Sequence, residues 1–185
     1  MINLETALPS IIQTPRLQLR KPGLEDDLAL YEAARASVNE IYPFMAWCHP
    51  EYEMEESRSF LLSAQDEWQQ GTAYSFCIEH EGRLAGICGI NSLNEYGGAN
   101  LGYWIRSDET ARGYASEATI ALAQYGFDQL QLNRIEIVMS VKNLASQKVA
   151  EKAGALYEAT LRDRLLLHGE LHAAHLYSLV PSDLQ

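Results

Sequence analysis

Basic charge, cysteine and long apolar runs are what this 185-residue chain has least of. Only 14 lysines and arginines face 25 aspartates and glutamates, a formal net charge of −11. A surface of that sign argues against general nucleic-acid binding, which needs a basic face to displace counterions. It also requires any anionic ligand to be held by local geometry, because the overall field repels it. The three cysteines, Cys48, Cys77 and Cys88, are odd in number and lack CxxC spacing. That pattern speaks against a disulfide framework or zinc cluster, and Cys77 and Cys88 read as small core residues. No apolar run approaches the roughly 20 residues that span a bilayer. The opening "MINLETALPSIIQTPRLQLR" lacks the basic start and continuous apolar stretch of a secretory signal. The expectation is a cytoplasmic protein with no membrane partner and no direct nucleic-acid partner.

What is present is a globular composition, 47% hydrophobic and 21% charged, without repeats or a linker rich in Pro, Gly or Ser. Residues 1–185 therefore read as one domain. "TPRLQLRKP" (14–22) alternates Leu17 and Leu19 with polar residues, the pattern of a half-buried strand. Helical patterns run from Leu24 to Val38 and from Glu55 to Gln70, with Leu28, Tyr31, Phe60, Leu61, Ala64 and Trp68 marking apolar faces. The aromatic loop "EIYPFMAWCHPEY" lies between them. "YSFCIEHEGRLAGICGINSL" (74–93) reads as a hairpin about a His-Glu-Gly-Arg turn. "NLGYWIRS" (100–107) is a strand, residues 108–130 enter a helix of about four turns, and "RIEIVMSV" (134–141) is a buried strand. Strand, helix, strand in so short a span is a βαβ crossover with parallel strands. A short helix, "SQKVAEKAG", ends at Gly154, and "ALYEATL" and "HAAHLYSLV" close the chain as strands. The fold class is α/β or α+β, a mixed sheet with helices on its faces.

Three sets of residues invite chemistry. Gly113 and Ala115 stand where a helix is about to start, inside the βαβ unit. One reading is a tight turn. The other is an anion site, where small residues let a phosphate reach unpaired amides at the positive end of the helix dipole. The stretch is not a P-loop, since no GK[ST] follows, and GxGxxG is absent. Asn143 and Ser146 follow the second parallel strand; Asn143 can cap the short helix, and both can face a ligand lying between the strands. His168, His172 and His175 have spacing that would suit a metal on a helix, but their context is strand, turn, strand, so we expect no metal. The four carboxylates between Glu51 and Glu56 read as a solvated helix entry that could also draw in a cationic amine.

Together, "TPRLQLR", "GRLAGICGI", "NLGYWIRS", "ARGYASEA" and "NLASQKVAEKAGALYEATLRDRLLLHGE" resemble the GNAT N-acetyltransferase superfamily. The likeness is stronger to its RimJ/RimL ribosomal-protein acetyltransferase branch and covers nearly the whole chain. It implies a mostly antiparallel twisted sheet with a central parallel, splayed strand pair. It also implies acetyl-CoA as cofactor. The family's turn Q/R-x-x-G-x-G/A, which binds pyrophosphate, corresponds to Thr110-Ala111-Arg112-Gly113-Tyr114-Ala115, with Thr110 in place of the leading Gln or Arg. Arg112 is then expected to supply the missing charge. The resemblance further assigns Tyr103, Trp104, Ile105 and Arg106 to the pantetheine arm, and Ser116 and Lys152 to the same cofactor. Asn143 and Ser146 match its N-x-x-S, with Ser146 as donor to the departing thiolate. Tyr31, Phe44, Trp47 and Asn91 are expected to shape the acceptor site. Ala150 stands where many relatives carry a tyrosine acid, and Leu165 near the place of a glutamate base. The expected activity is direct acetyl transfer to an amine by a monomer or homodimer. A ribosomal protein N-terminus is the leading acceptor and a small amine the second. A non-catalytic acyl-CoA-binding module, or a phosphate-binding interaction domain unrelated to CoA, stays open as an alternative.

Overall fold

A computed structural model describes residues 8–184. Eight strands form one sheet: β1 (Ile11–Gln13), β2 (Gln18–Arg20), β3 (Tyr74–His80), β4 (Arg83–Asn91), β5 (Gly98–Ile105), β6 (Arg134–Ser140), β7 (Leu156–Leu167) and β8 (Glu170–Leu179). Their order across the sheet is β1-β2-β3-β4-β5-β6-β8-β7. Five helices accompany them: α1 (Asp27–Ala36), α2 (Val38–Ile41), α3 (Met54–Gln70), α4 (Tyr114–Asp128) and α5 (Leu144–Lys152). None among the described residues is long and apolar enough to cross a membrane. Every strand pairing is antiparallel except β5 with β6, the two joined through α4.

That parallel pairing is short. Its register runs Gly98↔Arg134, Ala99↔Ile135, Asn100↔Glu136 and stops there, although β5 continues to Ile105 and β6 to Ser140. On its other side β5 stays paired to β4 as far as Ile105. The sheet therefore opens into a cleft between the C-terminal halves of β5 and β6, and one edge of β5 beyond Asn100 has no strand beside it.

Alternation along the strands divides the core between the two faces of the sheet. Phe76 and Ile78 of β3 join Ile90, Leu101, Ile135 and Ile137 under Ala118, Leu122 and Ala123 of α4. Cys77 points the other way, into a second cluster with Leu84, Ile87, Leu30, Ala33 and Leu61 from α1 and α3. Cys77 and Cys88 are buried in these clusters, as expected of core residues, and Cys48 is buried as well.

Two sequence expectations need correction. The helix drawn from Leu24 to Val38 breaks at Ser37, which is fully buried. The Ser37 hydroxyl donates to Ala33 O (2.7 Å) and accepts the Ser107 amide (2.9 Å), and this competition with the helix ladder separates α1 from α2. Leu28 is 51% exposed; the buried face of α1 is carried instead by Leu30, Ala33 and Ala34. Strand β1, too short to show a period, went unread.

Candidate active site

The helix that closes the crossover begins in an unusual way. Gly113, its N-cap, has φ +82° and ψ 6°, and Ala111 two residues earlier has φ +61°. The left-handed backbone at Gly113 is readily available only to glycine. No side chain caps α4, so its first-turn amides point outward without an intrahelical acceptor. A β-carbon added at Gly113 would stand 3.4 Å from Arg16 Nη2 and 3.7 Å from Lys152 Nζ. Two cations and a helix N-terminus thus converge on one cradle that a side chain would fill. In a chain of net charge −11 this is a local exception, and three of its four lysines, Lys142, Lys148 and Lys152, lie on or just before α5.

Arg16 is placed by Glu117 in the first turn of α4. Glu117 accepts from Arg16 Nε (2.7 Å), the Arg16 amide (2.9 Å) and Thr14 Oγ1 (2.6 Å). Burial raises the Glu117 carboxyl, but these donors outweigh it and hold it below its usual value. Arg16 Nη1 donates to Arg112 O (2.8 Å), and its guanidinium lies over the Tyr114 ring at 5.1 Å. Arg112 itself turns away, with Nη1 3.1 Å from Glu109 Oε2. Glu109 Oε2 has no hydrogen-bond partner among the described residues. Arg106 is likewise turned to Asp108, at 2.6 Å.

A cavity of about 570 Å³ occupies the cleft. Tyr103, Trp104, Ile105, Ala111, Gly113, Tyr114, Ala115, Ser116, Asn143, Ser146 and Lys152 line it; Arg106 and Arg112 do not. Asn143 is the N-cap of α5, its Oδ1 accepting the Ser146 amide at 3.0 Å, which fixes where the Ser146 hydroxyl stands. That hydroxyl is 3.0 Å from Tyr103 Oη, which also lies 3.2 Å from Ser146 O. Burial pushes the Tyr103 phenol up to about 12. Ala150 is completely buried within the core. Leu165 lines a small separate cavity with Glu136 and Arg164.

A second cavity, about 880 Å³, lies toward α3 and meets the first at Met45, Tyr103 and Trp104. Trp47, Tyr52, Phe60 and Trp104 give it aromatic walls, with Trp47 5.7 Å from Trp104 between ring centres. Glu51, Glu53, Glu55, Glu56 and His49 give it a polar side. His49 Nε2 is 2.8 Å from Glu56 Oε1, and that hydrogen bond raises the imidazole above its usual value. Of the residues expected at an acceptor site, Trp47 and Asn91 line this cavity, Phe44 lines the first, and Tyr31 lines neither. The histidines of the last hairpin stay apart: His168 stacks on Tyr42 at 3.9 Å, while His175 bonds Thr160 Oγ1 at 2.9 Å.

Sequence reasoning missed Arg16, the Tyr103–Ser146 contact and His49. Arg16 had a signal, because a glutamate in the first turn of a helix that must hold an anion needs a cation beside it. The other two depend on how loops and strands meet in space.

Residues 16–156 match the acetyltransferase (GNAT) domain family. The uncharacterised N-acetyltransferase p20 of Bacillus licheniformis is 31% identical over 91% of this chain and 95% of its own. A Vibrio cholerae structure, provisionally named a ribosomal-protein-serine acetyltransferase, is 31% identical with TM-score 0.84 over 95% of this chain and 100% of that one. The microcin C7 self-immunity acetyltransferase MccE, in complex with acetyl-CoA and AMP, is 25% identical with TM-score 0.88, covering 94% and 98% of the two chains.

Proposed function

The chain belongs to the GNAT acetyltransferase family, and from that premise we propose that it carries acetyl from acetyl-CoA to an α-amine, with a protein N-terminus as acceptor. The observation that carries the cofactor half is the cradle at Gly113, where Lys152 and uncapped helix amides face a cleft left by parting strands and Arg16 stands beside the glycine. Bound there, acetyl-CoA supplies an activated thioester carbonyl for an amine to attack. Gly113, Ala115, Ser116, Arg16 and Lys152 hold its diphosphate. The free edge of β5 from Tyr103 to Ile105 would pair with the pantetheine amides as an added strand does. Ser146 would hold a hydroxyl hydrogen toward the sulfur and so stabilise negative charge there.

The acceptor half rests on the second cavity. It shares Met45, Tyr103 and Trp104 with the cofactor cleft, so an amine held on the α3 side would lie next to the bound thioester. Its aromatic walls suit the side chain of a first residue, and its carboxylates favour the ammonium form of an arriving amine. Support for a protein acceptor comes from the name given to the Vibrio cholerae relative. The cavity also has the volume of a site for a small molecule, which favours a free amine of drug-like size as the second reading.

Incubation with acetyl-CoA and a serine-initiated peptide, read by mass spectrometry, tests the proposal. A 42 Da gain confined to the first residue is the expected result, 42 Da being roughly the mass of acetyl replacing hydrogen. Modification of small amines alone would transfer the assignment to the second reading.

A further inference from the structure

On the catalytic reading above, the charge on the departing sulfur needs one hydroxyl hydrogen aimed into the cleft. Ser146 can supply it only if that hydrogen is not spent elsewhere. Its neighbour is the partly buried phenol of Tyr103, 3.0 Å away. Two arrangements fit that distance: serine donates to tyrosine, or tyrosine donates to serine. They have opposite consequences, since the first removes the hydrogen from the cleft and the second leaves it free.

The surroundings choose between them. Tyr103 Oη has two acceptors in reach, both on Ser146, and the nearer is the side-chain oxygen. The farther, Ser146 O at 3.2 Å, sits in the first turn of α5, where the helix's own ladder uses it. The phenol is partly buried where it lines the cleft, and its single hydrogen goes to the nearer acceptor, Ser146 Oγ, at 3.0 Å against 3.2 Å. Asn143 pins the Ser146 backbone from the other side through its bond to the amide. The phenol stays protonated through neutral pH, because burial raises it to about 12. Donor and acceptor roles therefore do not change across the working range.

We propose that Tyr103 is a positioning residue that donates to Ser146 Oγ and thereby directs the serine hydrogen at the leaving sulfur. No proton moves along the pair in this role; the two hydrogen bonds are in series and strengthen each other. The placement is unusual for its direction, since the tyrosine comes from β5, while Ala150 on α5 is sealed in the core.

The test is binding of free coenzyme A against desulfo-coenzyme A by calorimetry between pH 6 and 9, on wild type, Tyr103→Phe, Ser146→Ala and the double variant. A hydroxyl that favours bound thiolate lowers the thiol's pKa on the protein. Wild-type affinity for coenzyme A should then rise with pH, while affinity for the desulfo analogue should not. Tyr103→Phe, equal in shape, should flatten that rise as Ser146→Ala does, and the double variant should lose no more than either alone. In turnover, Tyr103→Phe should lower kcat roughly tenfold with KM for acetyl-CoA unchanged. A pH dependence kept in Tyr103→Phe but lost in Ser146→Ala would overturn the proposal, and so would a wild type with no difference between the two ligands. If neither ligand binds wild type at all, the cofactor reading fails first. A melting temperature close to wild type separates loss of the hydrogen bond from loss of the fold.

Discussion

At Gly113 a single missing β-carbon does two things at once. It permits a φ of +82°, and it leaves open the space between Arg16 Nη2 and Lys152 Nζ. Valine there would place a branched carbon in the anion's position and force a left-handed backbone that valine resists. Acetyl-CoA affinity should fall at least tenfold, about 1.4 kcal/mol or more, measured by calorimetry. The fold should survive, because the nearest atoms to that new carbon are the ends of flexible side chains. Unchanged affinity in Gly113→Val would remove the diphosphate from this turn. Ser146→Ala belongs to the same scale. It should lower kcat by an amount corresponding to about 2–4 kcal/mol, by analogy with oxyanion-hole donors, while leaving cofactor affinity at neutral pH nearly intact. A loss confined to acetyl-CoA binding would reduce Ser146 to part of a helix cap. The glycine and the Asn143-x-x-Ser146 spacing were legible in the sequence because each is a local pattern. Arg16, separated from Glu117 by a hundred residues of chain, was not, since only the fold brings them together.

Elements are tied to one another by a few buried polar contacts, of which Arg20 makes the most consequential. From β2 it donates to Asp26 Oδ2 (2.8 Å), at the entry to α1, and to Glu79 Oε1 on β3 (2.7 Å). Asp26 is only 5% exposed and also accepts the Gly23 amide at 2.8 Å. Burial by itself would raise the Asp26 carboxyl; the Arg20 and Gly23 hydrogen bonds overcome it and hold the group below its ordinary 3.8. A carboxyl depressed by folding contributes stability above its unfolded pKa and loses it as pH falls through the folded value. Asp26→Asn leaves Arg20 short of a partner and should cost about 3 kcal/mol at pH 7, read from urea unfolding. The gap between variant and wild type should shrink as the pH is taken from 5 toward 2. A gap constant with pH would mean that the charge on Asp26 does not matter. Elements themselves were readable wherever a period ran long: α3, α4, the β3–β4 hairpin and the last hairpin all stand near their expected places. The break at Ser37 was not, because it depends on an amide from Ser107 reaching across seventy positions.

For the whole molecule the question is how an enzyme meets a protonated amine without an evident base. Neither position expected to hold acid or base presents one: Ala150 is sealed in the core, and Leu165 faces a different cavity. The second cavity, the proposed acceptor site, carries instead His49 and the carboxylates at the start of α3. His49 is tied to Glu56 and has its pKa raised, so it holds a proton more firmly than a free imidazole does. A lysine side chain, with pKa about 10.4, is less than roughly 0.1% neutral at pH 7 and would need strong help. An α-amine of pKa about 7.7 to 8 is already roughly a tenth neutral or more and needs little. The proposed α-amine acceptor thus asks less of the protein, and on that proposal the rate should climb from pH 6.5 to about 8 as the acceptor itself loses a proton. The decisive comparison sets a peptide with a free N-terminus against its N-terminally blocked, lysine-containing twin at pH 7. The free peptide should be acetylated faster by at least tenfold, the proportion of neutral amine alone allowing more. Faster reaction of the blocked peptide would refute an α-amine acceptor. It would also assign to His49 and Glu56 the deprotonation that the α-amine spares them.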